Sequence, residues 1–282
     1  MGVDAAWLCP LSRRMTHAAA HPALTRELLC SLTDLASLAS VEIMKHFQTA
    51  LDVRQKRDAS PVSDADEAAE RVILDGLSQL LPEVPVLAEE MSAAEGVRAM
   101  PETFLLVDPL DGTREFISGR ADFTVNIGLI VSGSPVLGVV TAPAKGRAWI
   151  GAQGLGAFAA DLVPGARWDW TRASPIKTRP ASVPMVAVAS RSHGDAQTEA
   201  FLAAHKITER TAAGSSLKFC LLAEGLADVY PRFGPTMEWD TAAGHAVLNA
   251  AGGRVVMPDG APFRYNKEET GFRNGAFIAW GA

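Results

Sequence analysis

The chain has 282 residues, of which 48% are hydrophobic and 21% charged, and this composition is typical of a folded globular protein rather than a disordered one. Lys and Arg number 26 against 32 Asp and Glu, so the net charge is −6. An acidic chain has no overall positive field to attract a nucleic acid polymer or an anionic membrane surface, so we expect neither as a general partner.

The three cysteines, Cys9, Cys30 and Cys220, are odd in number and far apart, whereas disulfide scaffolds and zinc modules have paired, closely spaced cysteines. No apolar run reaches the roughly 18 residues of a membrane span, and no secretory signal pattern opens the chain. We therefore predict a cytoplasmic protein without a transmembrane segment. Peripheral attachment at the inner face of the plasma membrane stays open, as does the oligomeric state, a monomer or a homodimer.

Periodic sequence begins after residues 1–21, which we predict to be a disordered extension. Apolar residues spaced by three or four predict helices over residues 22–47 and 64–81, with a loop or short hairpin at residues 56–61 between them. Segments rich in Val, Leu and Ile and bounded by turn residues predict strands over residues 84–88, 104–107, 123–131 and 136–142.

A segment rich in Gly and Pro, residues 151–180, predicts a long loop, and strands alternate with helices after it. Strands are predicted over residues 185–189, 207–211 and 227–232 and around Val255 and Ile278, and helices over residues 195–205, 216–223 and 240–251. This alternation predicts an α/β (α+β layered) fold with mixed sheets. We place a boundary near Lys177, between an N-terminal α+β domain (22–177) and a C-terminal α/β domain (178–282).

Several acidic residues follow predicted strands or open predicted helices, where a rigid scaffold can bring their side chains to one point. Glu89-Glu90 and the Asp108–Asp111 segment follow strands, whereas Asp66 and Asp240 begin helices. Each position also has a purely structural interpretation. The segment from Asp108 can be a turn, Asp240 a helix N-cap, Asp66 a partner of the helix dipole and Glu89-Glu90 a solvated strand end.

The Asp-x-x-Asp spacing of Asp108 and Asp111 brings two carboxylates within a few ångströms, and the Leu110 carbonyl between them can face the same way. Mg²⁺ takes about six oxygen ligands and usually keeps several waters, so one or two carboxylates per ion suffice. Four converging carboxylates would place about four negative charges in one cleft, which two Mg²⁺ would neutralise. Oxygen ligands without His or Cys disfavour zinc or copper.

Three motifs in this order resemble one known family: Glu89-Glu90, residues 108–116 (Asp-Pro-Leu-Asp-Gly-Thr-Arg-Glu-Phe) and residues 239–244 (Trp-Asp-Thr-Ala-Ala-Gly). The family is the inositol monophosphatase superfamily of Mg²⁺-dependent, lithium-sensitive phosphatases. The resemblance runs from about residue 28 to residue 279. It implies the inositol monophosphatase-like sugar phosphatase fold, in which helix layers alternate with mixed-sheet layers.

Further segments resemble the CysQ branch of that superfamily, the 3′(2′),5′-bisphosphate nucleotidases. These segments are residues 123–127, 190–193, 214–218 and 230–232. The resemblance implies that a small phosphorylated nucleotide is the substrate. The enzyme would remove the 3′-phosphate of adenosine 3′,5′-bisphosphate, a by-product of sulfate assimilation, to give AMP and phosphate.

The resemblance also implies the metal ligands, position by position. The first Mg²⁺ would be held by Glu89, Asp108 and the Leu110 carbonyl, and the second by Asp108, Asp111 and Asp240. Asp66 would support a weaker third ion or the attacking water. The catalytic residues would then be Asp66, Thr113 and Glu89, with Thr113 hydrogen-bonded to that water.

Substrate contacts follow from the same resemblance and from charge. The amides of Gly112 and Thr113 would meet the scissile phosphate, beside the metal-site residues Glu89, Leu110, Asp111 and Asp240. Lys218 and Arg232 are candidates for the second phosphate, because a nucleoside bisphosphate carries about four negative charges. His193, Ser215 and Ser216 could approach the ribose or the base.

The sequence leaves alternatives open. Ala88 stands where relatives often have glycine, and we expect its extra methyl group to be tolerated. The same metal site would serve inositol monophosphate or fructose 1,6-bisphosphate, since only the second-half motifs discriminate among substrates. A catalytically idle metal-binding protein with structural carboxylates is the alternative from another functional class.

Overall fold

The computed structural model describes residues 21–47, 64–189 and 195–282, together with the backbone of residues 54–55 and 61–62. Most of the predicted N-terminal extension (1–21) therefore lies outside the described residues, as do His193 and its segment. Arg54–Gln55 pairs antiparallel with Pro61–Val62, which confirms a short hairpin between the first two helices.

The helices are α1 (Arg26–His46), α2 (Asp64–Leu80), α3 (Glu89–Glu95), α4 (Thr113–Ile117), α5 (Ala196–Ala204), α6 (Leu217–Ala223) and α7 (Ala242–Ala250), with short 3-10 turns at Pro143–Lys145 and Glu268–Thr270. The first strands are β1 (Arg54–Gln55), β2 (Pro61–Val62), β3 (Val86–Ala88), β4 (Thr103–Asp111), β5 (Thr124–Val131), β6 (Ser134–Ala142), β7 (Arg147–Ala152), β8 (Gly156–Asp161) and β9 (Ser174–Ile176). The later strands are β10 (Val186–Ala189), β11 (Glu209–Ala212), β12 (Val229–Arg232), β13 (Thr236–Met237), β14 (Arg254–Val256), β15 (Arg273–Asn274) and β16 (Phe277–Trp280).

A seven-stranded sheet in the order β3-β4-β5-β6-β7-β8-β9 forms the first half of the fold. Its β3 and β4 run parallel and the remaining neighbours run antiparallel, so the sheet is mixed. α1 and α2 cover one face, where their periodic leucines and isoleucines join alternate residues of the central strands in one buried cluster. The other face packs against α7.

A row of three paired glycines lets α7 lie very close to this sheet. Gly128 of β5 pairs with Gly138 of β6, which pairs with Gly151 of β7. A Cβ atom at Gly138 would lie 2.1 Å from the carbonyl oxygen of Ala243 in α7. Only glycine fits at this distance, and the alanines of α7 provide the matching flat surface. We call these three residues the glycine row.

The second sheet has the order β11-β10-β12-β16-β14 and also mixes parallel and antiparallel pairs. α6 and α7 lie between the two sheets, within a buried cluster that draws residues from both. On the outer face of the second sheet, Leu202 of α5 packs with Ile207 and Val229. The layers therefore alternate helix, sheet, helix, sheet, helix, which confirms the α/β layered fold with mixed sheets.

The largest error of the sequence prediction is the long loop at residues 151–180. The structure places the end of β7 and the whole of β8 and β9 in this segment. β8 has the sequence Gly-Ala-Phe-Ala-Ala-Asp, which is poor in β-branched residues, so its pairing with β7 decides its conformation more than its intrinsic propensity does. The strand β7 and the short elements α3, α4, β13 and β15 also went unpredicted.

The predicted division near Lys177 stays a prediction. The seven-stranded sheet ends at Ile176 and the second sheet begins at Val186. Among the described helices, none combines the length and the apolar character needed to cross a membrane. Cys30 and Cys220 are both buried thiols.

Candidate active site

Two acids meet because β3 and β4 are parallel neighbours whose register aligns the last residue of β3 with Val107 of β4. Ala88 of β3 pairs with Val107 of β4, so the next residues along each strand, Glu89 and Asp108, emerge side by side. Carboxyl ends of parallel strands lie at one edge of a sheet, and this edge is the usual place for ligand sites in α/β folds. Glu89 is at the same time the first residue of α3.

A β-bulge brings Asp111 to the same side of the sheet as Asp108. Successive side chains of a strand point to opposite faces, so two residues three positions apart would normally point apart. Here Asp108 pairs with Asn126 and Asp111 pairs with Thr124, so β4 carries one more residue than β5 between these pairs. The extra residue restores the shared face, and Pro109 is tolerated because a bulge needs no regular ladder hydrogen bond.

Asp240 reaches the site from the loop before α7, which the glycine row holds against the same face of the sheet. The structural interpretation of Asp240 as a helix N-cap is wrong. Thr241 occupies the cap position of α7, and the Asp240 Oδ2 atom accepts the Met237 amide at 2.8 Å instead. The Ser216 hydroxyl donates to the Asp240 carbonyl oxygen at 2.9 Å. These bonds fix the loop that carries Asp240.

Three carboxylates form a compact cluster at this point. One oxygen of each of Glu89, Asp108 and Asp240 lies within 4.8 Å of the other two. Burial raises the pKa of Asp108 well above the ordinary Asp value. The surrounding carboxylates raise that pKa further, in the order Glu89, Asp111, Asp240 and Asp66. Burial also raises the pKa of Asp240, with Asp111 and Glu89 next in importance.

This donor set fits a hard divalent cation. The clustered ligand atoms among the described residues are carboxylate oxygens, and Mg²⁺ prefers oxygen. Negative charges held this close together in a buried place are stable only when protons or cations neutralise them. The raised pKa values of Asp108 and Asp240 express their burial first and the repulsion among the carboxylates second. Asp66, in the first turn of α2 and 2% exposed, contributes to it from the opposite helix layer.

The acids open onto a cleft of about 390 Å³, a size suited to a small molecule. Glu89, Asp111, Gly112, Thr113 and Asp240 line it. Gly112 has a φ of 96°, and a Cβ there would lie 2.2 Å from the Ser215 Oγ atom, so glycine is required on both grounds.

The Thr113 hydroxyl, at the start of α4, donates to the Leu110 carbonyl oxygen at 3.3 Å. A carbonyl oxygen has two lone pairs, so this bond leaves Leu110 able to contact a cation as well. The Thr113 oxygen likewise keeps acceptor capacity for a water. The predicted roles of Leu110 and Thr113 are therefore compatible with each other.

Lys218 lies inside the cleft rather than on the surface. It is 6% exposed, its Nζ atom donates to the Ser215 carbonyl oxygen at 2.8 Å, and it lies 5.3 Å from the centre of the Tyr230 ring. Burial lowers the pKa of Lys218 to about 8, although the Asp111 carboxylate opposes that change. Conversely, burial raises the pKa of Asp111 to about 6 against the effect of Lys218.

The other predicted substrate residues divide into two groups. Arg232 and Ser215 line the cleft. The Arg232 guanidinium donates to the carbonyl oxygens of Gly234 and Pro235, each at 3.2 Å, and Ser215 Oγ lies 2.8 Å from the Asp111 carbonyl oxygen. Ser216 is buried outside the cleft lining and holds the Asp240 loop through its hydroxyl.

Several residues of the site had no predicted role. The cleft lining also includes Arg114, Glu115, Phe219, Tyr230, Pro235 and Thr236. Buried Asn126 points its amide at Asp111, with 3.4 Å between its Nδ2 atom and the Asp111 Oδ2 atom. Asn126 and Tyr230 lie inside segments that carry the family resemblance, and that was the available signal.

Comparison with known proteins agrees with this geometry. A family model described as the inositol monophosphatase family matches residues 25–277. The chain belongs to the inositol monophosphatase family. The match covers the first sheet, all of the second sheet up to the start of β16, and every acid of the cluster, so the resemblance given by the sequence motifs is confirmed.

Within this family, the chain is similar to nucleotidases of the CysQ type. The 3′(2′),5′-bisphosphate nucleotidase CysQ of Escherichia coli is 46% identical over 260 residues, which cover 89% of this chain and 98% of that protein. The nucleotidase of the same name from Buchnera aphidicola is 38% identical over 264 residues, covering 90% of this chain and 94% of its own.

Solved structures confirm the fold of the inositol monophosphatase family for this chain. CysQ from Bacteroides thetaiotaomicron matches with a TM-score of 0.74 at 37% identity, over 88% of this chain and 95% of that one. The inositol monophosphatase from Anabaena (Nostoc) matches with a TM-score of 0.66 at 27% identity, over 89% of each chain.

Proposed function

We propose that this protein is a Mg²⁺-dependent 3′(2′),5′-bisphosphate nucleotidase, a phosphoric monoester hydrolase that removes the 3′-phosphate of adenosine 3′,5′-bisphosphate. The observation that carries the proposal is the cluster of Glu89, Asp108 and Asp240 beside a cleft that also contains Lys218 and Arg232. The carboxylates can bind metal ions, and the two basic side chains can bind phosphate. Both kinds of group in one cleft suit a substrate with two phosphates. The CysQ relatives carry the same activity in their names.

Two Mg²⁺ would bind among the acids of the cluster. Glu89, Asp108 and the Leu110 carbonyl would hold one ion, and Asp108, Asp111 and Asp240 the other. A third, weaker ion would lie near Asp66. When bound, Mg²⁺ would polarise the phosphoryl oxygens and lower the pKa of a bound water. It would also neutralise the negative charge that develops on the leaving oxygen.

The side chains around the cluster would position the reactants. The Thr113 hydroxyl oxygen would accept a hydrogen bond from the attacking water, while the hydroxyl itself donates to the Leu110 carbonyl oxygen. Asp66 and Glu89 orient that water from the side of α2 and α3. The amides of Gly112 and Thr113, at the start of α4, bind the scissile phosphate. Phosphoryl transfer depends mainly on such positioning and on charge, so no covalent intermediate is required.

The second phosphate would bind to Lys218 and Arg232. Lys218 balances Asp111 within the cleft, and its ammonium group also lies near Tyr230. Arg232 sits at the end of β12 and has a planar guanidinium suited to phosphate. Binding energy from this remote phosphate would be used to hold the scissile group in place.

Three other functions could use the same acids. Inositol monophosphate or fructose 1,6-bisphosphate would fit the acid cluster equally well, and the family name alone allows either. A catalytically idle metal-binding protein would need the acids but not Thr113 or the cations of the cleft.

The decisive experiment offers the purified protein and Mg²⁺ three substrates in parallel: adenosine 3′,5′-bisphosphate, inositol 1-phosphate and fructose 1,6-bisphosphate. We expect kcat/KM for the nucleotide to lead by about tenfold or more, which corresponds to roughly 1.4 kcal/mol. Lys218→Ala and Arg232→Ala should each remove most of that lead and spare slow turnover of inositol 1-phosphate. Arg254→Ala is the control, since Arg254 is an exposed cation on the edge strand β14, outside the cleft lining.

The outcomes separate the candidates. Equal or better turnover of inositol 1-phosphate would refute the nucleotidase assignment and leave the metal site standing. Release of phosphate from none of the three would favour the idle metal-binding protein. Calcium should compete for the same oxygens and inhibit, because it is larger and less tied to octahedral geometry. Lithium inhibition would support the family but not the substrate.

A further inference from the structure

Glu70 is a buried carboxylate that belongs neither to the cluster of acids nor to the cleft lining. It lies on α2, one turn after Asp66, and is 5% exposed. Its Oε2 atom accepts the amide of Glu90 at 2.8 Å, and its Oε1 atom accepts the amide of Met91 at 2.7 Å. Both carboxylate oxygens are therefore bonded to the backbone of the first turn of α3.

These two bonds act on the backbone that carries Glu89. The first amides of a helix have no partner within the helix, and the residue before α3, Ala88, supplies no side-chain cap. The Glu89–Glu90 peptide carries one of the two amides bound by Glu70. Fixing the plane of that peptide fixes the direction in which the Glu89 side chain leaves the backbone.

The other side of the same turn is held by the strand. The Ser92 hydroxyl donates to the Ala88 carbonyl oxygen at 2.6 Å, and Ala88 is paired with Val107. Glu89 thus lies between a backbone anchored to β4 and a backbone anchored to Glu70. Removal of the Glu70 bonds would release the backbone of Glu90 and Met91 but leave Ala88 anchored to β4.

Glu70 also joins two of the acids to one another. Residues four apart on a helix lie on the same face, so Asp66 and Glu70 project together from α2. Asp66 contributes to the charge around Asp108, while Glu70 holds α3. Glu70 therefore links the helix that carries Asp66 to the turn that carries Glu89.

We propose that Glu70 is a positioning residue for the metal site: by binding the amides of Glu90 and Met91, it holds the Glu89 carboxylate in the orientation that takes part in Mg²⁺ binding. The proposal rests on the proposed function only in its use of the Mg²⁺ site. It does not depend on which phosphate ester is the substrate.

The test measures Mg²⁺ binding to the substrate-free protein by calorimetry, together with the Mg²⁺ concentration that half-activates phosphate release. Glu70→Gln keeps the shape of the side chain. Its NH₂ group cannot accept a hydrogen bond from a backbone amide, so one of the two bonds is lost. We expect Mg²⁺ affinity to fall by about tenfold or more, the size of effect seen when groups that orient metal ligands are removed. The Mg²⁺ affinity of Glu70→Ala should fall further, because both bonds are lost. The kcat at saturating Mg²⁺ should fall much less than the affinity.

Asp34→Asn is the matched control. Asp34 is also a buried carboxylate on a helix that accepts a backbone amide, that of Trp168 at 2.6 Å, and it does not line the cleft. Its substitution should leave Mg²⁺ affinity at the wild-type value, whatever its effect on stability. This comparison separates a positioning role from the general effect of losing a buried carboxylate.

Three results would overturn the proposal. Unchanged Mg²⁺ affinity in a folded Glu70→Gln protein would show that Glu89 is oriented without Glu70. Loss of the folded circular dichroism spectrum in both Glu70 variants would assign Glu70 a purely structural role. Absence of Mg²⁺ binding to the wild-type protein would refute the metal site itself. Failure of the nucleotide substrate alone would leave the calorimetric result, and hence this proposal, unaffected.

Discussion

A substitution in the glycine row would displace Asp240, one of the proposed metal ligands, without changing Asp240 itself. A Cβ atom added at Gly138 would lie 2.1 Å from the Ala243 carbonyl oxygen and 2.9 Å from the Ala246 Cβ atom. Contacts of Cβ atoms below 3.0 Å are essentially never found, so α7 must retreat from the sheet by about 1 Å. Ala243 is three residues after Asp240, so the same retreat would draw Asp240 away from Glu89 and Asp108.

Gly138→Ala should therefore lower both stability and activity. Overpacking of a buried contact costs about 1–3 kcal/mol of the free energy of unfolding. A displacement of about 1 Å at a reacting centre can cost on the order of a hundredfold in rate. Urea unfolding measures the first effect and kcat at saturating Mg²⁺ measures the second.

Two glycines provide matched comparisons. Gly275 has no atom within 4 Å of its would-be Cβ and an ordinary φ, so Gly275→Ala should leave kcat unchanged. A Cβ at Gly151 would lie 2.9 Å from the Ala250 Cβ atom, at the far end of α7 from Asp240. Gly151→Ala should thus cost stability with a smaller loss of rate. Wild-type kcat and stability in Gly138→Ala would refute the argument that close packing of α7 places Asp240.

Two further predictions concern charge. Asp108→Asn should abolish turnover at saturating Mg²⁺, because Asp108 would contribute to both ion sites; more than a few per cent of wild-type kcat would contradict that role. Burial lowers the pKa of His245 to about 3, and its Nδ1 atom lies 3.0 Å from the Tyr265 hydroxyl. As pH falls, the His245 imidazole of the unfolded chain becomes protonated at about pH 6.5, whereas the buried imidazole of the folded protein stays neutral until a much lower pH. Stability present above that pH should therefore be lost as pH falls toward 3. His245→Gln should flatten this part of the profile of unfolding free energy against pH, and an unchanged slope would refute the assignment.

The sequence by itself located the elements whose pattern is local. The repeat of apolar residues predicted α1 and α2 almost to their ends, and runs of Val, Leu and Ile predicted β4, β5 and β6. The motifs also singled out Glu89, Asp108 and Asp240, whose carboxylate oxygens lie close together in the structure. Helical period, strand composition and motif order are all readable within a short window of residues.

The tertiary structure alone decided how these acids meet. The pairing of Ala88 with Val107 sets Glu89 beside Asp108, and the bulge in β4 turns Asp111 to the same face. Neither is visible in sequence, because register is a relation between strands that a one-residue slip would reverse. The row of glycines is likewise scattered over three strands until their register aligns it.

Burial is the second property that only the structure supplied. A lysine at a helix start, as Lys218 is, is by itself more often solvated than buried, and Glu70 is one more polar residue in an amphipathic helix. Both are buried because remote segments cover them, and burial changes what each charge does. Lys218 becomes a counter-charge to Asp111 with a pKa of about 8, and Glu70 becomes a support for α3. Local sequence determined which groups are present, whereas nonlocal packing determined which of them are desolvated and brought into contact.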